Sequence, residues 1–292
     1  STFKGKDNKI AADKAAVDEM RKELNKINIK GTIVIGEGEM DEAPMLYINE
    51  KVGTNNGDEF DIAVDPLEGT NFVAKNQPNA LSVLAASKKG NLLHAPDMYM
   101  DKIAIGKNLP PNTIDLDLDV KNNIKSLAKA KKVKISDLTA CLLKRPRHNK
   151  IIESLNEMNV NIKFISDGDV SGVISVGYPE KNIDIYFGIG GAPEGVLAAA
   201  ALKCLGCQMQ GRLHFLENDE KERAKKLGIT DLNKKYNIND MVKDDVIFCA
   251  TGITDGDFVN GIKYEGDSFL SETLVLHHDS KTNKILKNQN TK

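Results

Sequence analysis

This 292-residue sequence has no long apolar run, few cysteines and no excess of positive charge. No apolar run approaches the roughly 20 residues of a membrane-spanning helix, so we expect no membrane partner. Four cysteines are too few for a disulfide framework, which favours a reducing cytoplasm. A formal net charge of −2 gives no bias toward polyanions, so we expect no nucleic-acid partner. No signal-peptide pattern opens the sequence, and a segment upstream of Ser1 stays an open alternative.

Two of the cysteines, Cys204 and Cys207, have the CxxC spacing of zinc and redox sites. Neither a second pair nor a histidine cluster accompanies them in the sequence. We therefore interpret them as small, core-facing residues at the end of a helix, with a zinc or redox role as the alternative.

The most informative stretch reads DIAVDPLEGT over residues 61–70. The alternation of apolar and polar residues up to Val64 predicts a strand with one apolar face. Pro66 cannot donate to a strand ladder, so we expect the strand to end with Asp65 projecting from its carboxyl end. An ordinary Asp-Pro turn is the alternative interpretation.

Glu68, Gly69 and Thr70 follow this strand end within one turn. Gly69 and Thr70 offer backbone N–H groups to an anion, while Asp65 and Glu68 offer carboxylates to a cation. This combination favours a site that holds cations against a phosphate. The alternative is a solvated Glu68 beside a plain turn.

A helix is predicted over residues 9–27 because apolar residues recur at three- and four-residue steps. Its predicted buried stripe consists of Val17, Met20, Leu24 and Ile27. Extending the stripe backwards places Asp13 and Lys9 on the same inward face. A buried Asp13 needs compensation by a cation or by hydrogen bonds, and an ion pair with Lys9 is the alternative to a metal ion.

An acidic loop with the sequence GEGEMDE, residues 36–42, follows a short buried strand predicted over residues 32–35. Glycines on both sides of Glu37 let the backbone turn sharply, so that its carboxylate could approach a shared site. Sites in sheet proteins gather at strand ends, which favours a functional loop over a merely solvated one.

From about residue 138 strands and helices alternate, which predicts βαβ units and a sheet whose loops gather at one end. Three of these loops carry basic residues (144–148), acidic residues (166–169) and a glycine-rich turn (188–191). The turn lacks the GxGxxG spacing, so a non-catalytic nucleotide- or sugar-binding protein is only an alternative. We predict an α/β protein with sub-domains at 1–135 and 136–292, and a late strand near residue 275 that could return to the first.

If the acids of the first half converge, their repulsion calls for divalent cations. Two carboxylates about 4 Å apart repel by roughly 4 kcal/mol at an effective dielectric constant of 20. These acids are Asp13, Glu37, Asp41, Asp65 and Glu68. Oxygen ligands without histidine or cysteine predict Mg²⁺ or Mn²⁺, and two such ions suit phosphate hydrolysis. The basic residues of the second half would hold another anionic group of the same substrate.

Together these motifs resemble those of the class II fructose-1,6-bisphosphatases, in the lithium-sensitive, metal-dependent phosphatase superfamily. The matching segments are residues 7–13, IGEGEMDEAPM at 35–45, DPLEGT at 65–70, HAPDMYM at 94–100, RPRH at 145–148, DGD at 167–169, GIGGAPEGV at 188–196 and ATGIT at 250–254. DPLEGT alone indicates the superfamily, whereas IGEGEMDEAPM with GIGGAPEGV is specific to class II. Arg145 stands where the family usually has lysine, and Lys144 is the alternative for that role.

The resemblance implies a sugar-phosphatase fold of α-β-α-β-α layers, with the active site between two sub-domains. It implies hydrolysis of the 1-phosphate of fructose 1,6-bisphosphate in gluconeogenesis, by a cytoplasmic bacterial enzyme that uses two or more Mn²⁺ or Mg²⁺ ions. Sedoheptulose 1,7-bisphosphate and inositol phosphates are the alternative substrates. We also expect a homo-oligomer.

The resemblance also implies residue roles. Asp13 and Glu37 would ligate one metal ion, and Asp65, Glu68 and Glu194 the other, with helix capping as the alternative for Glu194. Catalysis is assigned to Thr70, Asp41 and Lys9, with Asp41 and Thr70 activating the water. The residues assigned to the substrate are Glu68, Gly69, Thr70, Tyr99, Arg145, Pro146, Arg147, Asp167, Gly168, Asp169 and Gly191.

Overall fold

The computed structural model describes residues 1–38 and 45–291. Its α-helices are α1 (Lys9–Leu24), α2 (Thr70–Ala74), α3 (Val120–Lys131), α4 (Asn149–Glu157), α5 (Asp169–Ile174), α6 (Ala192–Leu205), α7 (Asn218–Lys226) and α8 (Ile238–Met241). Its first seven strands are β1 (Lys30–Ile35), β2 (Lys51–Val52), β3 (Glu59–Glu68), β4 (Leu81–Lys88), β5 (Tyr99–Ile105), β6 (Thr139–Leu143) and β7 (Asn161–Ile165). The later strands are β8 (Ile185–Gly191), β9 (Gln208–His214), β10 (Tyr236–Asn237), β11 (Val246–Gly252), β12 (Lys263–Glu265), β13 (Ser268–His277) and β14 (Thr282–Thr291).

The chain divides into two compact units. The first consists of Ser1–His94 together with the chain from Val242 onward, and the second of Ala95–Met241. The sequence analysis placed its sub-domain boundary after residue 135, whereas the contacts divide the chain after His94 and again after Met241. The first unit is therefore discontinuous in sequence.

The first unit contains a mixed sheet with the strand order β12-β13-β11-β4-β3-β1-β2, and β14 pairs with β13. β1 and β3 are parallel neighbours, and β3, β4, β11 and β13 pair antiparallel in succession. The pairing of β4 with β11 joins the two segments of the unit into one sheet. The side chains of Val17 and Leu24 on α1 pack with Ile33, Ile62 and Val64 of this sheet.

Helix α1 is shorter than predicted. It begins after Asn8, whose side chain accepts a hydrogen bond from the N–H of Ala11, and it ends at Leu24. Ile27 was assigned to the buried stripe, but it is 48% exposed. The chain has turned by that point, because the carbonyl of Ile27 accepts a hydrogen bond from Thr54.

The second unit contains a mixed sheet with the strand order β10-β9-β5-β8-β6-β7. β6, β7 and β8 are parallel, whereas β5 runs antiparallel to β8 and β9. Ile103 and Ile105 of β5 belong to a core that also contains Ile124 and Leu127 of α3 and Leu155 of α4. The βαβ alternation predicted for this region is confirmed, and the two mixed sheets with their helices confirm the α/β class.

The prediction of a glycine-rich turn at residues 188–191 is wrong. Strand β8 continues to Gly191, and helix α6 begins at the next residue. At the other end of α6, Cys207 is buried, and burial raises the pKa of its thiol to about 12. The burial of Cys207 agrees with its interpretation as a core residue at the end of a helix, whereas Cys204 is only partly buried.

No helix among residues 1–38 and 45–291 is both long enough and apolar enough to cross a membrane.

Candidate functional site

Strand β3 does not end at Asp65, as the sequence analysis predicted, but continues through Pro66 to Glu68. Its pairing with β4 is irregular here, because Asp65 lies opposite Val83 and Glu68 lies opposite Leu81. Three steps along β3 thus match two steps along β4, which defines a β-bulge with one extra residue. The bulge accommodates Pro66, which has no N–H group to give to the ladder.

The bulge also brings two carboxylates together. In a regular strand, residues three apart point to opposite faces, and one extra residue reverses this relation for Asp65 and Glu68. A carboxylate oxygen of Asp65 lies within 4.8 Å of a carboxylate oxygen of Glu68. Glu68 is buried, and Oδ1 of Asp65 accepts a hydrogen bond from the N–H of Leu67 at 3.0 Å. Two acids this close, one of them buried, favour a cation beside them.

Helix α2 begins directly after the bulge. Gly69 precedes it in the left-handed conformation with φ of 79°, and Thr70 is the first helical residue. A side chain at position 69 would place its β-carbon 2.6 Å from the ring of Phe72. The first N–H groups of a helix have no intrahelical acceptor, so the backbone at Thr70 can donate to a phosphate.

Glu37 follows the carboxyl end of β1, which is parallel to β3. Ile35 pairs with Ala63, so Glu37 and Asp65 each lie two residues beyond this pair. The carboxyl ends of parallel strands share one edge of a sheet. The backbone positions of Glu37 and Asp65 therefore lie toward the same edge of the sheet.

The glycines beside Glu37 have the role predicted for them. A β-carbon at Gly36 would lie 1.9 Å from the carbonyl oxygen of Leu46, and Gly38 has φ of 121°. Only glycine suits this turn. Asp41, assigned to water activation, lies outside the described residues.

Asp13 is half-buried on α1, and burial raises the pKa of its carboxyl. The preceding residue, Ala12, packs with Leu67 of the bulge and Phe72 of α2. Lys9 was placed on the inward face but is exposed, since it lies in the first turn of α1. The described residues contain no ion pair between Lys9 and Asp13, so the alternative of an internal ion pair is not found.

Four described acids of the first unit suit hard divalent cations: Asp13, Glu37, Asp65 and Glu68. All of their donor atoms are carboxylate oxygens, which Mg²⁺ and Mn²⁺ prefer. The paired carboxylates in the bulge and the raised pKa of Asp13 both indicate sites where positive charge would stabilise the ionised form.

A second group of possible ligands in the first unit has a structural explanation. Asp245, His278 and Asp279 offer ligand atoms within 4.8 Å of one another. However, Oδ1 of Asp245 already accepts hydrogen bonds from the N–H groups of Val246 and Asp279, and Oδ2 contacts Nε2 of His277 at 2.8 Å. These bonds stabilise the turn between β13 and β14.

In the second unit, the residues assigned to the substrate all lie at one edge of the sheet. Arg145 and Arg147 follow β6, Asp167 and Asp169 follow β7, and Gly191 ends β8. Pro146 and Gly168 lie within these pairs, and Tyr99 begins β5 and pairs with Gly191, because β5 runs antiparallel to β8. The structure thus brings these predicted residues together within one unit.

Contacts among these residues fix the arginines. The guanidinium carbon of Arg147 lies 4.8 Å from the ring centroid of Tyr99, and its Nε donates to the carbonyl of Ile189 at 2.8 Å. Nη2 of Arg145 lies 3.8 Å from Oδ1 of Asp167. Lys144 instead lies 5.7 Å from the ring centroid of Phe164. Arg145, which stands directly before Pro-Arg-His, therefore lies beside the DGD segment, and the choice between Arg145 and Lys144 for the lysine role stays a prediction.

His148 supports this arrangement and was not assigned a role from the sequence. It is fully buried, with Nδ1 2.6 Å from the carbonyl of Leu143 and Nε2 accepting from the N–H of Ile189 at 2.8 Å. A carbonyl only accepts, so Nδ1 carries the proton and the ring is neutral. Burial lowers the pKa of His148. The ring ties the end of β6 to β8, next to Arg147.

Glu194 lies in the first turn of α6, where the helix dipole favours an acid. A β-carbon at Gly191 would lie 1.8 Å from Oε2 of Glu194, so the carboxylate folds back over the end of β8. The Glu194 carboxylate and the first backbone N–H groups of α6 therefore both lie near the end of β8.

Comparisons with known proteins agree with this chemistry. The family model described as bacterial fructose-1,6-bisphosphatase, glpX-encoded, matches residues 1–290. Fructose-1,6-bisphosphatase 1 class 2 of Escherichia coli K12 is 46% identical over 292 residues, which cover 95% of this chain and 86% of that protein. Fructose-1,6-bisphosphatase class 2 of Haemophilus influenzae Rd is 43% identical over 295 residues, which cover 96% of this chain and 88% of that protein. The chain therefore belongs to the class 2 fructose-1,6-bisphosphatase family of phosphatases.

Proposed function

We propose that the protein hydrolyses the 1-phosphate of fructose 1,6-bisphosphate to give fructose 6-phosphate and phosphate. Membership of the class 2 family, at 43–46% identity to proteins that bear this name, is the observation that carries the proposal. The acids of the first unit and the arginines of the second fit a doubly phosphorylated sugar. A role in gluconeogenesis follows from this reaction.

The proposed metal ligands are Asp13 and Glu37 for one Mg²⁺ or Mn²⁺ ion, and Asp65, Glu68 and Glu194 for a second. The donor set and the bulge that pairs Asp65 with Glu68 support this proposal. When bound, such ions polarise a phosphate and lower the pKa of a water molecule.

The chain's own residues supply the rest of the proposed mechanism. The Thr70 hydroxyl accepts a hydrogen bond from the attacking water and passes its own proton to the Asp41 carboxylate as the water's proton arrives, while N–H groups at Gly69 and Thr70 hold the phosphoryl oxygens. The exposed Lys9 stabilises negative charge as the bond between phosphorus and the sugar oxygen breaks. The leaving sugar oxygen takes up a proton.

The proposed substrate pocket consists of Glu68, Gly69, Thr70, Tyr99, Arg145, Pro146, Arg147, Asp167, Gly168, Asp169 and Gly191. Arg145 and Arg147 would bind the distant phosphate through charge-assisted hydrogen bonds. The carboxylates of Asp167 and Asp169 would accept hydrogen bonds from sugar hydroxyls. Two arginines favour a bisphosphate over an inositol monophosphate.

Phosphate release tests this function. We expect release from fructose 1,6-bisphosphate in the presence of Mn²⁺, its loss with a chelator, and its loss in Asp65→Ala and Thr70→Ala. Asp18→Ala is the matched control, because Asp18 pairs with Lys14 on the surface of α1. Activity that survives the chelator would contradict the metal-dependent mechanism.

A substrate panel separates the alternatives. We expect fructose 1,6-bisphosphate to give a higher kcat/KM than inositol 1-phosphate, because only the former offers a second phosphate to Arg145 and Arg147. Sedoheptulose 1,7-bisphosphate belongs in the panel, since it also carries two phosphates. A preference for the monophosphate would contradict the assigned role of the arginines.

We also propose a homo-oligomer located in the cytoplasm. Each chain has a mass of 32.0 kDa, so light scattering after size-exclusion chromatography would distinguish a monomer from larger assemblies. Sparse cysteines favour the reducing compartment.

A further inference from the structure

Lys102 is a fully buried lysine of the second unit to which the proposed function gives no role. It lies within β5, opposite Gly188 of β8 and Gly211 of β9, and its side chain is 0% exposed. The alternate residues of the strand on the same face, Met100 and Ala104, are buried and apolar. Lysine is almost never fully buried unless its charge is paired.

The ammonium group of Lys102 joins two segments assigned to the substrate. Nζ donates to Oδ2 of Asp169 at 2.5 Å and to the carbonyl oxygen of Gly191 at 2.9 Å. Asp169 is the first residue of α5, and Gly191 is the last residue of β8. One buried cation therefore connects the DGD segment to the strand end that precedes α6.

The surrounding backbone leaves room for this pair. A β-carbon at Gly190 would lie 2.1 Å from Oδ2 of Asp169 and 3.1 Å from Nζ of Lys102. A β-carbon at Gly195 of α6 would lie 3.4 Å from Cδ of Lys102. Any larger residue at Gly190 would displace the ion pair, so β8 is shaped around it.

Stability alone does not explain a pair of this kind. Removing two charges from water costs more than their attraction commonly returns, and apolar replacements of equal volume are often neutral or stabilising. Asp169 is only 6% exposed, so the ammonium group of Lys102 provides a polar partner that replaces water at this buried carboxylate. A buried acceptor held in one place is what recognition of a sugar hydroxyl requires.

We propose that Lys102 is a positioning residue for substrate recognition, acting through Asp169 and Gly191 without touching the substrate. The inference rests on the proposed function, because it assumes that Asp169 contacts the sugar. Lys102 holds Oδ2 of Asp169 and leaves Oδ1 as the acceptor for a hydroxyl. Its second hydrogen bond fixes the end of β8. A residue in this role acts on binding of the sugar and leaves hydrolysis of the bound ester to other groups.

The experiment is a double-mutant cycle of Lys102→Met, Asp169→Asn and the double variant. Steady-state kinetics with fructose 1,6-bisphosphate gives KM and kcat, and calorimetry gives the Kd of fructose 6-phosphate. We expect Lys102→Met to raise KM and Kd by about tenfold or more, because its acceptor is no longer held in place. We expect kcat to change by less than about threefold.

The cycle distinguishes positioning through Asp169 from a general structural role. With Asn at position 169, removal of Lys102 should raise KM clearly less than it does in the natural sequence, because only its hydrogen bond to the carbonyl of Gly191 remains to be lost. Should Lys102→Met fail to fold, the double variant compared with Asp169→Asn keeps the test, since neither leaves a lone buried carboxylate. A tenfold rise in KM within that pair overturns the inference, as does an unchanged KM in Lys102→Met.

Lys131→Met is the matched control, because it breaks another lysine–aspartate pair of the same unit, with Asp184. Its KM should match that of the unsubstituted protein, and an equal rise in both lysine variants would contradict the inference. If the unsubstituted protein releases no phosphate from fructose 1,6-bisphosphate, the proposed function fails. If it does and the variants keep its KM, only the role of Lys102 fails.

Discussion

The two units collect different charges at the ends of their strands. In the first unit, carboxylates follow β1 and occupy the bulge of β3, whereas arginines and a buried lysine gather around β5, β6 and β8 in the second. Carboxylates suit cations, and arginines suit phosphates. The comparison teaches that substitutions of the first unit's carboxylates should lower kcat, while substitutions of the second unit's arginines should raise KM.

The largest effect is expected for Asp65→Asn in the bulge. Loss of a metal ligand should lower kcat by more than about 100-fold. Substitution of residues that only hydrogen-bond to metal ligands already lowers metal affinity or activity by about 10–100-fold. The free energy of unfolding should stay level or rise, because one of two close carboxylates is gone. Kinetics with Mn²⁺ and a thermal melt check both parts; a low Tm together with the lost activity would make the effect structural.

Thr70→Ala tests a second residue of the first unit, where substitutions should lower kcat. Removal of the hydroxyl should lower kcat by about 100-fold, the lower range for a group that takes part in proton transfer. Thr70→Ser keeps the hydroxyl and should retain most of the activity, which makes it the matched control. Equal activity in the alanine and serine variants would leave the hydroxyl without a role.

Arg147→Ala tests the other side. A hydrogen bond to a charged group contributes about 1.5–3 kcal/mol, so KM for fructose 1,6-bisphosphate should rise about tenfold to hundredfold with little change in kcat. Arg147→Lys should lie between the two, because lysine keeps the charge but loses the bidentate geometry. A fall in kcat at unchanged KM would break the comparison.

The smallest effect concerns the pH dependence of stability at His148. Burial lowers the pKa of His148 in the folded state, so the unfolded state binds the proton more tightly, near the ordinary histidine value of 6.5. Its contribution to stability is therefore complete above pH 6.5 and is lost as the pH falls toward the folded pKa. Within that window the free energy of unfolding should fall by at most about 1.4 kcal/mol per pH unit.

Denaturant titrations of the natural sequence and of His148→Gln at several pH values measure this slope. Glutamine carries a donor and an acceptor but does not titrate, so the variant should lose the His148 part of the slope. Identical slopes in both proteins would show that His148 is not the group responsible.

The sequence alone identified Asp65 and Glu68 but not the geometry that unites them. Because a proline cannot donate to the ladder, Pro66 predicts that the strand ends with Asp65. The pairing of β3 with β4 supplies a bulge instead, and a bulge depends on the partner strand, which local sequence does not contain. The sequence therefore predicts that both acids lie near one strand end, and it does not predict that they share a face of the strand.

The burial of Lys102 and the assembly of the first unit from two chain segments also depend on contacts that local sequence does not contain. A lysine in a strand usually faces solvent, and only the packing of α5 and α6 shows that Lys102 is buried against Asp169. Similarly, β11 lies beside β4 although about 160 residues separate them in the chain, a pairing that periodicity does not reveal. Local patterns predicted element types and strand-end residues; long-range contacts decided the rest.

Manganese binding tests most directly the claim that the carboxylates of the first unit hold divalent cations. Electron paramagnetic resonance counts free Mn²⁺ during a titration of the natural sequence, of Glu68→Gln and of the surface control Asp18→Ala. We predict tight binding in the natural sequence and the control, and affinity reduced by about tenfold or more in Glu68→Gln. Equal Mn²⁺ affinity in all three proteins would contradict the account.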